Sequence, residues 1–140
     1  MHMMTSDVLI TIKGLQMALD SSDCLEIITN GKYFKKNGKH YVLYEEVVED
    51  QRVSNMIKIH DETVEITKKG LASVQMFFET GKKNTSIYST PYGQLEVSIY
   101  AEQIRVNETE NKLELNMQYD LEMNSQHVSD SQVSVTVVSR

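Results

Sequence analysis

Leu113–Met123, LELNMQYDLEM, carries an apolar or aromatic side chain at every second position. Leu113, Leu115, Met117, Tyr119, Leu121 and Met123 share one parity, and Glu114, Asn116, Gln118, Asp120 and Glu122 fill the other. A two-residue period marks a β-strand with one buried and one wet face. The rest of the chain then has to supply strands that cover the buried face.

The flanking segments do so. Upstream, Leu95, Val97, Ile99 and Ala101 alternate cleanly, after which the apolar parity slips to Ile104 and Val106. A one-residue slip that keeps both halves buried predicts a β-bulge near Ala101–Gln103. Downstream, Asn124–His127 turns the chain and Gln132–Val138 returns with Val133, Val135 and Val137 on one face. Further back, Leu71–Glu79 presents Val74, Met76 and Phe78, Gly81–Asn84 reads as a turn, and Thr85–Ser89 as a short strand. The turn at Thr90–Gly93 holds the single proline. Asn55–His60 and Thr63–Thr67 form a hairpin about His60-Asp61-Glu62, followed by a turn at Lys68-Lys69-Gly70.

Nearer the start, a strand from about Leu25 to Phe34 meets Asn37-Gly38, a pair suited to a type I′ hairpin because both central residues need positive φ. The return strand, His40–Val48, sets Tyr41 and Leu43 against Val42, Tyr44 and Glu46. Val8–Ile12 opens the chain's pattern, with a continuation to Met17 or one helical turn over Leu15–Leu19 as alternatives. Met1–Ser6 reads as a loose end.

Many short strands joined by tight turns indicate an all-β fold. The lack of a long crossover loop favours a meander, and a meander of this size hides its edges by closing. The expectation is one domain over residues 1–140: an antiparallel up-and-down closed barrel of about 8–10 strands.

Composition is consistent with this. At 140 residues the chain can bury a full core without disulfides. Its net charge of −6 argues against nucleic acid and anionic membrane as partners. One cysteine, Cys24, leaves no internal disulfide and fits a reducing, cytosolic setting. No apolar run is long enough for a membrane helix.

Leu71–Val97, with the turns Lys68-Lys69-Gly70, Phe78-Glu79-Thr80-Gly81 and Tyr88 through Thr90-Pro91-Tyr92-Gly93, resembles the uncharacterised bacterial YwiB-like family. Gly31–Glu46 and Leu113–Met123 extend the likeness more weakly. The resemblance implies a small cytosolic protein of the Firmicutes with a calycin- or lipocalin-like barrel, and no assigned activity. Where the family carries an arginine two residues before the first turn's glycine, this chain has Lys68.

No catalytic constellation is visible. His2, His40, His60 and His127 are scattered rather than at ligand spacing, so no metal site is expected. Glu45 and Glu46 are neighbours in a strand and point to opposite faces, so they cannot act together on one substrate. Gly81-Lys82-Lys83-Asn84 lacks the partners of a phosphate loop. Clustering of His60, Asp61 and Glu108 would be the sign of an enzyme.

The functional expectation is therefore a non-enzymatic barrel without a cofactor. Met76, Phe78, Tyr88, Met117 and Tyr119 are the candidate lining for a small apolar or amphipathic ligand in the interior. In a meander alternate turns share an end, which would gather Lys35, Lys36, Lys82 and Lys83 into a basic rim opposed by Glu108 and Glu110. The alternative is a packed barrel that meets a partner protein or a second copy of itself.

Overall fold

The computed structural model describes residues 7–14, 26–70, 73–90 and 93–140. Ten strands run in chain order: β1 (Asp7–Lys13), β2 (Glu26–Lys36), β3 (Lys39–Val48), β4 (Gln51–His60), β5 (Thr63–Lys69), β6 (Ser73–Glu79), β7 (Lys83–Thr90), β8 (Gly93–Glu108), β9 (Lys112–Met123) and β10 (Gln126–Ser139). They form one sheet in the order β6-β5-β4-β3-β2-β1-β10-β9-β8-β7. Every hairpin neighbour but one is laddered, and β1 pairs antiparallel with β10 from Val8↔Ser139 to Lys13↔Ser134. The result is a nearly closed up-and-down barrel, as the alternation required. The readings at Leu15–Leu19, Met17 and Cys24 lie outside the described residues.

Turn chemistry follows the twist of the strands. Asn37 (φ 53°) and Gly38 (φ 76°) form the expected turn. Glu49-Asp50 and Asn124-Ser125 also hold positive φ at both positions, without a glycine. The I′-type twist that joins right-twisted strands overrides the local reluctance of these residues. The bulge stands where the parity slipped: Ala101 pairs with Tyr119 and Gln103 with Gln118, leaving Glu102 extra. Ile104 packs on the core, but Val106 stays 36% exposed. The reason is that β8 beyond Ala101 has β9 as its only ladder partner. A second bulge, between His127 and Ser129, lies among polar residues where no apolar pattern could reveal it.

Two turn limits need correction. Lys68 and Lys69 belong to β5, with Lys68 paired to Asn55 and to Val74. Lys68 shares the inward parity of Val64 and Ile66, so a lysine that reads as turn is an inward-facing strand residue. Lys83 and Asn84 likewise belong to β7, laddered to Tyr100 and Ile99.

The core is continuous. Leu113, Leu115, Met117, Tyr119 and Leu121 are each at most 2% exposed, and they join Val8, Ile10, Ile57, Ile66, Phe78 and Val135 in one cluster. A void wide enough for water would leave accessible surface on the side chains lining it. Phe78 at 0%, Tyr119 at 1%, and Met76 and Met117 at 2% leave little room for one at the middle of the barrel.

The ladder between β2 and β3 breaks off partway. β2 pairs with β1 over Glu26–Lys32, and with β3 only over Lys32–Lys36. The far half of β3, from Tyr44 onward, is laddered to β4 alone. Gly31 sits at this fork. A Cβ there would fall inside van der Waals contact of the Leu43 carbonyl oxygen and of Ile10 Cδ1. Only glycine lets the β2 backbone approach β3 so closely before leaving it.

The end carrying the turns at 37–38, 61–62, 80–82 and 109–111 is tied across its mouth. Glu108 reaches Lys35 Nζ (3.1 Å) and lies 3.8 Å from His40 Nε2. His40 Nδ1 in turn meets the Tyr33 hydroxyl at 2.7 Å, and both rings are buried. Burial holds the His40 imidazole below the usual histidine range, against the pull of Glu108 and with the help of Lys35. Burial, reinforced by Glu108, pushes the Tyr33 phenol up to about 12.

Two outcomes follow from these contacts. Gly31→Ala is expected to lower unfolding stability by about 1–3 kcal/mol, the usual cost of forcing a methyl into filled space, as read by urea denaturation. His40 favours its neutral form in the folded state, so its contribution is complete above the ordinary histidine value and is lost as pH falls below it. An NMR titration should place its midpoint below 6.5, and Glu108→Gln, which removes the opposing charge, should move it lower still.

Candidate functional site

The sequence singled out an interior set and a rim. Met76, Phe78, Met117 and Tyr119 project from β6 and β9 into the common core. Phe78 and Tyr119 meet edge to face, with ring centroids 5.0 Å apart at 77°. Tyr88, on β7, is at the margin of this group and only partly buried. Its hydroxyl donates to the Gln75 carbonyl of β6 at 3.1 Å. Burial raises the Tyr88 phenol to about 12, so it remains a donor through the physiological range.

Three of the four rim lysines are each paired with a carboxylate. Lys35 is answered by Glu108, Lys82 by Glu79 at 3.2 Å and Lys83 by Glu122 at 2.8 Å. Lys36 stands exposed at the end of β2. His60 lies 3.4 Å from Asp61, while Glu108 keeps company with His40 instead. The three residues that would have signalled an enzyme are thus divided between two places.

Glu45 and Glu46 do face opposite ways. Glu45 accepts from Arg52 at 2.9 Å on the outer wall. Glu46 turns inward, where its Oε1 accepts from Lys68 Nζ (2.9 Å) and Asn55 Nδ2 (3.0 Å). Glu46 and Lys68 are about one quarter exposed, at 23% and 27%, whereas Asn55 is 3% exposed. Burial and the Glu46 charge together raise the Tyr44 phenol beside them. This polar group at the forked end was partly legible, since Glu46 shares the parity of Val42 and Tyr44. Asn55 and Lys68 were missed because a polar side chain at an inward position adds nothing to the apolar alternation, and Lys68 reads locally as turn.

On the outer wall, Asp120, His127 and Asp130 each offer a donor atom, and these atoms lie within 4.8 Å of one another. His127 Nε2 and Asp130 Oδ1 are 2.8 Å apart. Asp130, burial and Glu102 push the Asp120 carboxyl up to about 6, while His127 holds Asp130 below the usual carboxylate range. The bulge between His127 and Ser129 brings His127 to the same face as the directly paired Asp120 and Asp130, which no spacing in the chain discloses.

The remaining feature is a seam. β6 is laddered only to β5 and β7 only to β8, although the two are consecutive in the chain. They are drawn together at the 80–82 turn, where Gly81 N donates to Ala101 O (2.9 Å) and Lys82 N to Glu79 O (3.0 Å). Further along, the Tyr88–Gln75 bond crosses between them. Phe77 (41% exposed) and Ile87 (63% exposed) stand on the outer wall on either side. The seam thus offers strand-type donors and acceptors flanked by apolar surface.

A protein of Bacillus subtilis (strain 168) described as an uncharacterized beta-barrel protein, YwiB, is 26% identical over 112 residues, covering 80% of this chain and 75% of that one. The crystal structure of the ywiB protein from Bacillus subtilis matches with a TM-score of 0.79 at 21% identity, over 96% of this chain and 92% of that chain. At that identity the structural likeness speaks for the barrel fold. Among the described residues no helix is long and apolar enough to cross a membrane. The family described as a domain of unknown function, DUF1934, matches residues 10–135, and the chain belongs to that family.

Proposed function

We propose that the protein is a non-enzymatic interaction barrel that takes an extended segment of a partner chain along the seam between β6 and β7. The observation that carries this reading is that two neighbouring strands are left as edges in an otherwise continuous ring. Proteins usually blunt such edges with lysine, proline or a bulge. Ser73–Glu79 has none of these. The Tyr88 hydroxyl occupies the Gln75 carbonyl where the N–H of an added strand would bond. Strand addition draws affinity from main-chain bonds and specificity from alternate side chains. The fitting partner is an uncharged extended segment with apolar residues at alternate positions, able to lie over Val74 and Tyr88 and beside Phe77.

The filled middle of the barrel favours this reading over a ligand enclosed by Met76, Phe78, Tyr88, Met117 and Tyr119. An enclosed molecule would require Met76 and Met117 to repack, which flexible thioethers permit. Retention of a small molecule in native mass spectrometry of protein from its own host would favour that second reading.

Gln75 offers the sharper test. Its carbonyl faces the seam, and in an extended strand the N–H and C=O of one residue point the same way. Gln75→Pro therefore removes a seam-facing donor while leaving the ladder to β5 in place, as edge strands tolerate. Peptides selected from a random linear library should lose affinity about tenfold or more against Gln75→Pro, the scale of one or two lost hydrogen bonds. Affinity unchanged by the substitution would overturn the proposal.

A further inference from the structure

The fork between β2 and β3 opens a cleft of about 790 Å³ on the barrel wall, with Gly31, Leu43, Tyr44, Ser54, Asn55 and Arg140 among its lining. This volume is in the range of small-molecule sites. The cleft exists because the two strands part at Gly31. It is separate from the seam and from the packed middle of the barrel.

Asn55 is the informative residue. It is 3% exposed, and its Nδ2 donates to Glu46 Oε1 (3.0 Å) and to the Val53 carbonyl (3.4 Å). Its Oδ1 is buried and has no donor within reach. Turning the amide over does not help. Oδ1 would then face a carboxylate and a carbonyl, both acceptors. Glu46 is itself held by Lys68, so the amide is locked with its acceptor unanswered. A buried acceptor without a donor is costly, and a group that supplies one is bound preferentially.

We propose that this cleft binds a small amphipathic molecule whose polar end is a neutral hydrogen-bond donor, an amide or a hydroxyl, directed at Asn55 Oδ1. Leu43 and Tyr44 supply apolar wall for the rest of the molecule. A carboxylate head is disfavoured, since it would set acceptor against acceptor. The charged groups at the lip are already engaged: Lys32 with Asp7, Arg140 with Asn30, and Glu45 with Arg52. Selection therefore rests on the donor and the apolar body rather than on net charge.

The test uses the full chain and two isosteric probes. Hexanamide carries an N–H donor; heptan-2-one places a methyl group where that NH₂ stands. In amide-resolved NMR titrations, hexanamide should shift the signals of Gly31, Leu43, Ser54 and Asn55 saturably, and heptan-2-one should bind at least about tenfold more weakly. Asn55→Leu should erase the difference between the probes. Because that change also strips a donor from Glu46, a second variant guards against a folding failure. Leu43→Trp leaves Asn55 and its partners in place, fills the cleft from the outer wall and should abolish hexanamide binding. Equal affinity for the two probes, no saturable shift at these residues, or binding that survives Leu43→Trp would each overturn the assignment.

Discussion

The pairing of Val8–Lys13 with Ser134–Ser139 joins the two ends of the chain, and without it the meander would be an open sheet with a bare apolar face. With it, the buried core side chains of the described residues form one cluster. The alternation in β9 then acquires its meaning. Leu115 and Leu121, at 0% and 2% exposure, are buried not by their own ladder but by the far side of the ring. Closing a sheet also demands tilt and curvature. The bulges at Glu102 and near Val128, in the two strands flanking β9, supply part of that bend.

Closure is incomplete in two places, and each has an identifiable physical origin. At the seam, the short 80–82 turn is pinned to Ala101 of β8, so β6 and β7 converge there and a phenol bridges them beyond. At the fork, the β2 backbone approaches β3 at Gly31 and then follows β1 instead. Both openings lie on the wall of the barrel. Its middle is filled with aliphatic, methionine and aromatic side chains, and one end is tied by Tyr33, His40, Glu108 and Lys35. A barrel built in this way is a rigid frame whose chemistry is presented at its interruptions.

Polar groups turned inward at the forked end show how the frame tolerates charge. Glu46 and Lys68 are only partly covered, and their pairing offsets the desolvation of both. Asn55, far more deeply buried, is fixed by Glu46. Lys68 also stands where the resemblance read from the sequence implies an arginine. A lysine delivers one compact cation to one carboxylate oxygen, which is the contact seen here, whereas a guanidinium would engage both oxygens. Asn55 donates to that same oxygen.

The parity of side chains along each strand, the type I′ turn at Asn37-Gly38, the bulge at Ala101–Gln103 and the opposed aims of Glu45 and Glu46 were all legible in the chain, because each is set by the local geometry of an extended backbone. The alternation also required a wall to cover β9, and hence the barrel. What tertiary structure alone decided depends on which strands lie side by side, and in what register. The second bulge, hidden among polar residues, is one case. The inward aim of Lys68, which local composition reads as turn, is another. The pairing of Lys82 with Glu79 and of Lys83 with Glu122, and the placing of His40 beside Glu108, are further cases. The seam and the fork belong here too, since a strand's own residues specify which faces it offers but not where a neighbour will leave it. That is settled by backbone contacts between distant segments, such as Gly31 against Leu43 and Gly81 against Ala101.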